Sequence, residues 1–109
     1  MEQQDLDIII KSVINHLEEL KAENIEIIDL EKKNFLFTKA ILATGNSSRH
    51  ILSMADNIGC LLKQKYRILT RSEGHFHSEW ILIDAKRLII NIFQEDAREK
   101  YNLIEVWKK

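Results

Sequence analysis

A chain of 109 residues with 45% hydrophobic content has material for one packed core and no room for a second domain. Its 16 basic and 17 acidic residues leave a formal net charge of −1, which excludes a protein that coats bare nucleic acid by charge alone, so free DNA is not an expected partner. The opening Met-Glu-Gln-Gln-Asp lacks the blocks of a secretory signal or an organelle transit peptide, and no apolar run reaches membrane-spanning length. The expected setting is the bacterial cytoplasm, with no membrane partner.

Ile10, Val13, Ile14, Leu17 and Leu20 recur at three- and four-residue spacing among polar residues, which predicts an amphipathic helix over 6–22. Residues 25–30 are a short β-branched run, Glu31-Lys32-Lys33-Asn34 reads as a polar turn, and 35–44 is a second run. Two adjacent antiparallel strands joined by a hairpin are expected there. The next eight residues, Ala43-Thr44-Gly45-Asn46-Ser47-Ser48-Arg49-His50, join that strand to an amphipathic segment opening at Ile51. Gly45 is expected to take a backbone geometry that other residues resist, Ser47 or Ser48 to cap the helix, and Arg49 and His50 to project from its first turn. Backbone amides at such a turn favour an anion or an acidic partner.

Ile51, Ala55, Ile58 and Leu62 share one face of a helix over 48–65 that packs on the sheet, and Cys60 reads as a small buried apolar residue with no disulfide partner. Residues 66–70 read as a short strand and 71–79 as a polar loop around Gly74. Strands over 80–84 and 88–93, joined by Ala85-Lys86-Arg87, complete five, mixed in direction. Glu95 and Asp96 suit the positive end of a short helix to about Tyr101, with Asn102 as a left-handed stop and an apolar tail over 103–107. With no proline and three glycines there is no linker and no repeat. The expected fold is a single α/β domain over 1–109, a mixed five-stranded sheet flanked by helices.

Along the strand 80–84, Trp80, Leu82 and Asp84 share one face and Ile81 and Ile83 the other, so the indole serves either the core or an outside partner. A glycine-serine turn after a strand is where nucleotidyltransferases hold a phosphate, yet that chemistry needs two or three carboxylates on Mg²⁺. No Asp-x-Asp pair follows the turn, and the one such spacing, Asp5 and Asp7, is misplaced at the N-terminus. His75 and His77, with His50 and Cys60, do not cluster as a closed zinc site, and Ser48, His50 and Asp56 on one helix do not supply a nucleophile with its base and oxyanion hole. No catalytic residue, metal or cofactor is therefore expected.

A series of short motifs then appears in order: Ile27-Ile28-Asp29-Leu30, Thr38, Ala43-Thr44-Gly45, Ser47-Ser48-Arg49-His50, Ala55-Asp56, Glu73-Gly74, Glu79-Trp80-Ile81-Leu82-Ile83-Asp84, Ile92-Phe93, Glu95, Ala97-Arg98, Tyr101-Asn102-Leu103 and Trp107. In this order they resemble the ribosomal silencing factor family, also called Iojap-like proteins, over nearly the whole chain. The resemblance implies a nucleotidyltransferase-type sheet in a non-enzymatic translational repressor. Such a protein docks on the large ribosomal subunit through ribosomal protein L-fourteen and blocks joining of the small subunit. It also implies contact through Trp80 and the turn after its strand, here Asp84, Ala85, Lys86 and Arg87, with Ser48, Arg49 and His50 as further candidates, and leaves room for a homodimer off the ribosome. The sequence departs from the usual pattern at Lys39, where relatives carry Asp, at Ala85-Lys86-Arg87, where a larger residue precedes Gly-Asp, and at Asn91, in place of a frequent His. These changes make the region more basic. The rival expectations are a nucleotide-binding or nucleotide-transferring enzyme on the same fold, and an assembly factor for the large subunit.

Overall fold

The computed structural model describes residues 3–30, 37–74 and 79–101. In chain order they form α1 (Gln3–Glu19), β1 (Glu23–Asp29), β2 (Lys39–Gly45), α2 (Ser48–Tyr66), β3 (Arg71–Glu73), β4 (Trp80–Ala85), β5 (Leu88–Gln94) and α3 (Glu95–Tyr101). The sheet order is β1-β2-β5-β4-β3. Strands β2 and β5 pair in parallel, and every other pairing is antiparallel. A parallel pair needs a long crossover, and α2, β3 and β4 supply it.

The burial of the two central strands follows from that placement. All but one residue of β2 and all but one of β5 are buried, because helices lie on both faces of the sheet. On one face Ile41, Ile81, Ile83, Ile90 and Ile92 pack against Val13 and Leu17 of α1 and Ile51, Met54, Ile58 and Leu62 of α2. On the other, Ile28, Ala40, Leu42, Ile89 and Phe93 pack with Ala97 of α3 and with the half-buried Phe37, Trp80 and Leu82. The expected single domain with a mixed five-stranded sheet is what forms, with β1 and β2 antiparallel as anticipated.

Three expectations change. The segment 66–70 is not a strand: α2 runs through Tyr66, Arg67 turns left-handed at φ 57°, and the N–H groups of Arg67 and Ile68 donate to the carbonyls of Lys63 and Leu62. The third strand is instead Arg71–Glu73, inside the segment read as a loop. All three of its side chains are exposed, so no alternation of burial marked it. Cys60 is exposed, because two residues at about 100° each carry it roughly 200° around α2 from the buried Ile58. The polar turn 31–34, the histidines His75 and His77, Asn102 and the tail 103–107 lie outside the described residues.

Gly45 is required for a different reason from the one expected. Among the described residues no glycine has a positive φ; the left-handed positions are held by Lys21, Asn24, Arg67 and Lys86. A Cβ on Gly45 would sit 2.6 Å from Met54 Cε and 2.7 Å from Ile51 Cγ2, so the glycine makes room for the first turns of α2 against the end of β2. Ile51 is β-branched and stiff, and both side chains are fully buried, so neither retreats cheaply. Gly45→Ala is expected to lower stability by about 1–3 kcal/mol. Arg67→Gly should act in the opposite sense, gaining about 0.5–1 kcal/mol by relieving a left-handed non-glycine residue, net of the added chain entropy. Urea unfolding at unchanged m-value measures both, and a shared sign would contradict this account of the two turns.

Candidate docking face

Strand β4 alternates in burial, with Ile81, Ile83 and Ala85 in the core under α2 and Trp80, Leu82 and Asp84 half-buried on the opposite face. Trp80 lies directly across from Phe93 in the β4–β5 ladder, and their rings stack at 5.3 Å between centroids and 23° between planes. The indole Nε1 donates to Oδ1 of Asn91 at 3.0 Å. Trp80 is thus both part of the second hydrophobic cluster and, among the described residues, the largest partly open side chain on that face.

The junction after β2 is knit by its own side chains, among them Ser48 and His50, both expected to face a partner. Ser47 is the cap, its Oγ accepting from the N–H of His50 at 3.0 Å. Ser48 instead accepts from Nε2 of Gln94 at 2.8 Å, which ties the start of α2 to the end of β5. His50 does not project freely. Its Nδ1 accepts from the N–H of Asn46 at 3.0 Å, so the proton resides on Nε2, which donates to the carbonyl of Leu20 at 2.7 Å. Of the three candidates here, only Arg49 is exposed. With Ser48 and His50 so engaged, they form no nucleophile–base pair with the exposed Asp56.

Between this junction and α3 lies a hollow of about 230 Å³, lined by Gly45 and Gln94 and flanked by Glu23, Glu95 and Asp96, with Lys21 as its single basic residue among the described residues. Three carboxylates against one ammonium repel a phosphate rather than cradle it. No trio of His, Cys, Asp or Glu among the described residues is placed to hold a metal ion. Sequence reading did not single out Arg98 beyond its motif, yet it fastens this corner. One Nη donates to Thr44 Oγ1 at 2.8 Å and to the carbonyl of Asn24, and the other pairs with Glu26 at 2.8 Å. Helix α3 is thereby tied to both β1 and β2.

The other candidates sit at the far end of β4. Lys86 and Arg87 form a two-residue turn closed by the Ala85–Leu88 pair, and both are exposed, as expected. Lys86 holds φ 62°, a conformation that suits glycine better. Arg87 is braced: its carbonyl accepts from the N–H of Thr38 at 2.6 Å, and its Nε donates to Thr38 Oγ1 at 3.0 Å. The side chain of Ala85 is in the core, so it offers a partner only backbone. Lys39 pairs with Asp29 at 3.3 Å, which offsets one of the basic departures locally. At about 3.3 Å per residue, the turn lies roughly 17 Å from Trp80. Trp80 and the Ser48-Arg49 junction thus share one end of the sheet but lie on opposite faces of it, while Asp84, Lys86 and Arg87 lie toward the other end of β4.

Fold and face together define a mixed-sheet α/β domain with an aromatic platform on the side away from α1 and α2. Residues 3–109 match the family described as ribosomal silencing factor during starvation, and the chain belongs to that family. It is 32% identical to the ribosomal silencing factor RsfS of Chromobacterium violaceum over 107 residues, covering 98% of this chain and 85% of that protein. It is also 32% identical to RsfS of Haemophilus influenzae over 99 residues, 91% of this chain and 97% of that one. A crystal structure of a Chromobacterium violaceum protein superposes with a TM-score of 0.88 at 32% identity, covering 99% of this chain and 88% of that chain. A crystal structure of a Bacillus halodurans protein, at 24% identity and a TM-score of 0.79 over 96% of this chain and 95% of that one, shows the shared fold.

Proposed function

We propose that this protein is a translational repressor that binds the large ribosomal subunit through ribosomal protein L-fourteen and occludes the approaching small subunit, with the Trp80 face making the contact. Family membership supports a ribosome-associated regulator of translation. The observation that carries the choice of face is Trp80 itself: a large, half-buried, stacked indole is the kind of rigid anchor on which interface energy concentrates. Leu82 and Asp84 extend the face along β4, and Lys86 and Arg87 form its rim. A span of roughly 17 Å fits comfortably within one side of a standard interface of about 800 Å².

Occlusion needs no chemical step. The body measures 34 × 34 × 21 Å, thick enough to hold two surfaces apart wherever it stands between them. The acidic flank of the Gly45 hollow argues against the nucleotide-transferring alternative, since phosphate would meet carboxylates there.

The direct test is co-sedimentation with purified subunits. Binding to large but not small subunits is expected, as is a lower yield of joined ribosomes when the protein is added before the subunits are mixed. Equal binding to both subunits would sink the reading, and disruption of preformed ribosomes at equal potency would contradict simple occlusion. Trp80→Ala is expected to weaken large-subunit binding by about 2 kcal/mol or more. It should leave a folded protein destabilised by about 1–3 kcal/mol through loss of the Phe93 stack and partial burial. A folded variant with undiminished affinity, checked by circular dichroism, would move the interface off this face.

A further inference from the structure

Asn91 lies at the middle of β5, fully buried, with Leu42 and Leu82 as its neighbours in register on the two flanking strands. Its side chain meets the indole of Trp80. Because an indole N–H only donates, the amide atom that faces it must be the oxygen, and the NH₂ group is turned away. That Nδ2 has no hydrogen-bond partner among the described residues. A buried donor without an acceptor lowers stability, and the surrounding leucines and isoleucines show that an apolar side chain would suit the site better. Asn91 therefore weakens the centre of the sheet, and the one thing it provides in return is the acceptor for Trp80.

We infer that Asn91 is the positioning residue for the docking tryptophan, holding the indole in the single orientation that a partner recognises. This rests on the docking role proposed for Trp80. The division of labour is geometric. Stacking on Phe93 fixes the plane of the ring, but a stacked ring still has a choice of which edge points inward. The bond to Asn91 Oδ1 removes that choice. With its N–H committed to the sheet, the indole meets a partner as hydrocarbon rather than as a hydrogen-bond donor. The receiving surface should accordingly be an apolar pocket that needs no acceptor. Ordering the anchor beforehand also spares the entropy of ordering it on binding.

The test uses a Trp107→Phe background, in which Trp80 is the only tryptophan of the two. In that background Asn91→Leu removes both the acceptor and the orphaned donor, whereas Asn91→Thr keeps a hydroxyl acceptor. The leucine variant is expected to melt at the same temperature or a few degrees higher, yet to bind large subunits about tenfold more weakly. Its near-ultraviolet circular dichroism band from Trp80 should shrink as the ring gains freedom. The threonine variant should recover part of both the band and the affinity. Stability and binding moving in opposite directions is the outcome that a merely structural residue cannot give. The inference is overturned if the leucine variant binds as tightly as its parent, or if it loses fold and affinity together. Should the parent itself fail to bind large subunits, the docking proposal falls instead, and an unchanged Trp80 band in the leucine variant would still refute the hold by Asn91.

Discussion

The parallel pairing of β2 with β5 is the constraint on which the rest of the molecule depends. Parallel strands finish at the same end of a sheet, here with Gly45 beside Gln94 in register. Both chains must then turn into helices at one crowded corner. One helix goes to each face: α2 packs with α1 over the isoleucine-rich side, and α3 crosses to the side of Phe93 and Trp80. The corner has little space, which is why a side chain at position 45 would strike Met54 and Ile51. It is held by bonds between elements far apart in sequence, Gln94 to Ser48 and Arg98 to Thr44 and Glu26.

A second consequence of the central pair is that polar residues within it must answer to something outside their own strand. Thr44 is buried and takes a guanidinium from α3. Asn91 is buried and takes the indole from β4. The two cases differ in energy. Thr44 adds a contact between layers at no loss, while Asn91 leaves half of its amide unanswered. Burial on both faces also means that the two central strands have little surface to offer a partner, which leaves the flanking strands: β4, where Trp80, Leu82 and Asp84 remain half-open, and the exposed edges β1 and β3. The fold restricts where contact is feasible before any partner is considered.

How much of this was legible in the sequence depended on the range of the interaction involved. Helices α1 and α2 announced themselves through three- and four-residue spacing, and β4 through a short aromatic and β-branched run ending at a polar turn, because both signals are local to a single element. Strand β3 was illegible because a three-residue exposed edge has no burial to record. The end of α2 was misread because Tyr66, Ile68 and Thr70 have strand-forming side chains, while the left-handed turn that stops the helix fell on an arginine rather than a glycine. At Gly45 the residue was right and the reason was not, since room and φ both call for glycine and only the positions of Met54 and Ile51 decide between them. His50 and Ser48 were assigned outward roles because their partners lie 30 and 46 residues away. One polar residue within the apolar run Ile89-Ile90-Asn91-Ile92-Phe93 was a visible clue to Asn91, whose role appeared only once Trp80 was placed across the ladder. The ribosomal reading came from ordered motifs along the whole chain rather than from any single site.

The outward placement of Cys60 has a practical consequence for anyone working with this protein. It is the sole thiol in the chain, it lies on the exposed side of α2, and the sheet stands between it and Trp80. A maleimide dye or spin label can therefore be attached at one defined point, without cysteine substitutions and without crowding the aromatic face. The same geometry exposes purified protein to air oxidation, in which two chains join back to back through this helix. A preparation kept without reductant would accumulate covalent pairs whose aromatic faces point away from each other, and such pairs would mimic an oligomer in sizing experiments.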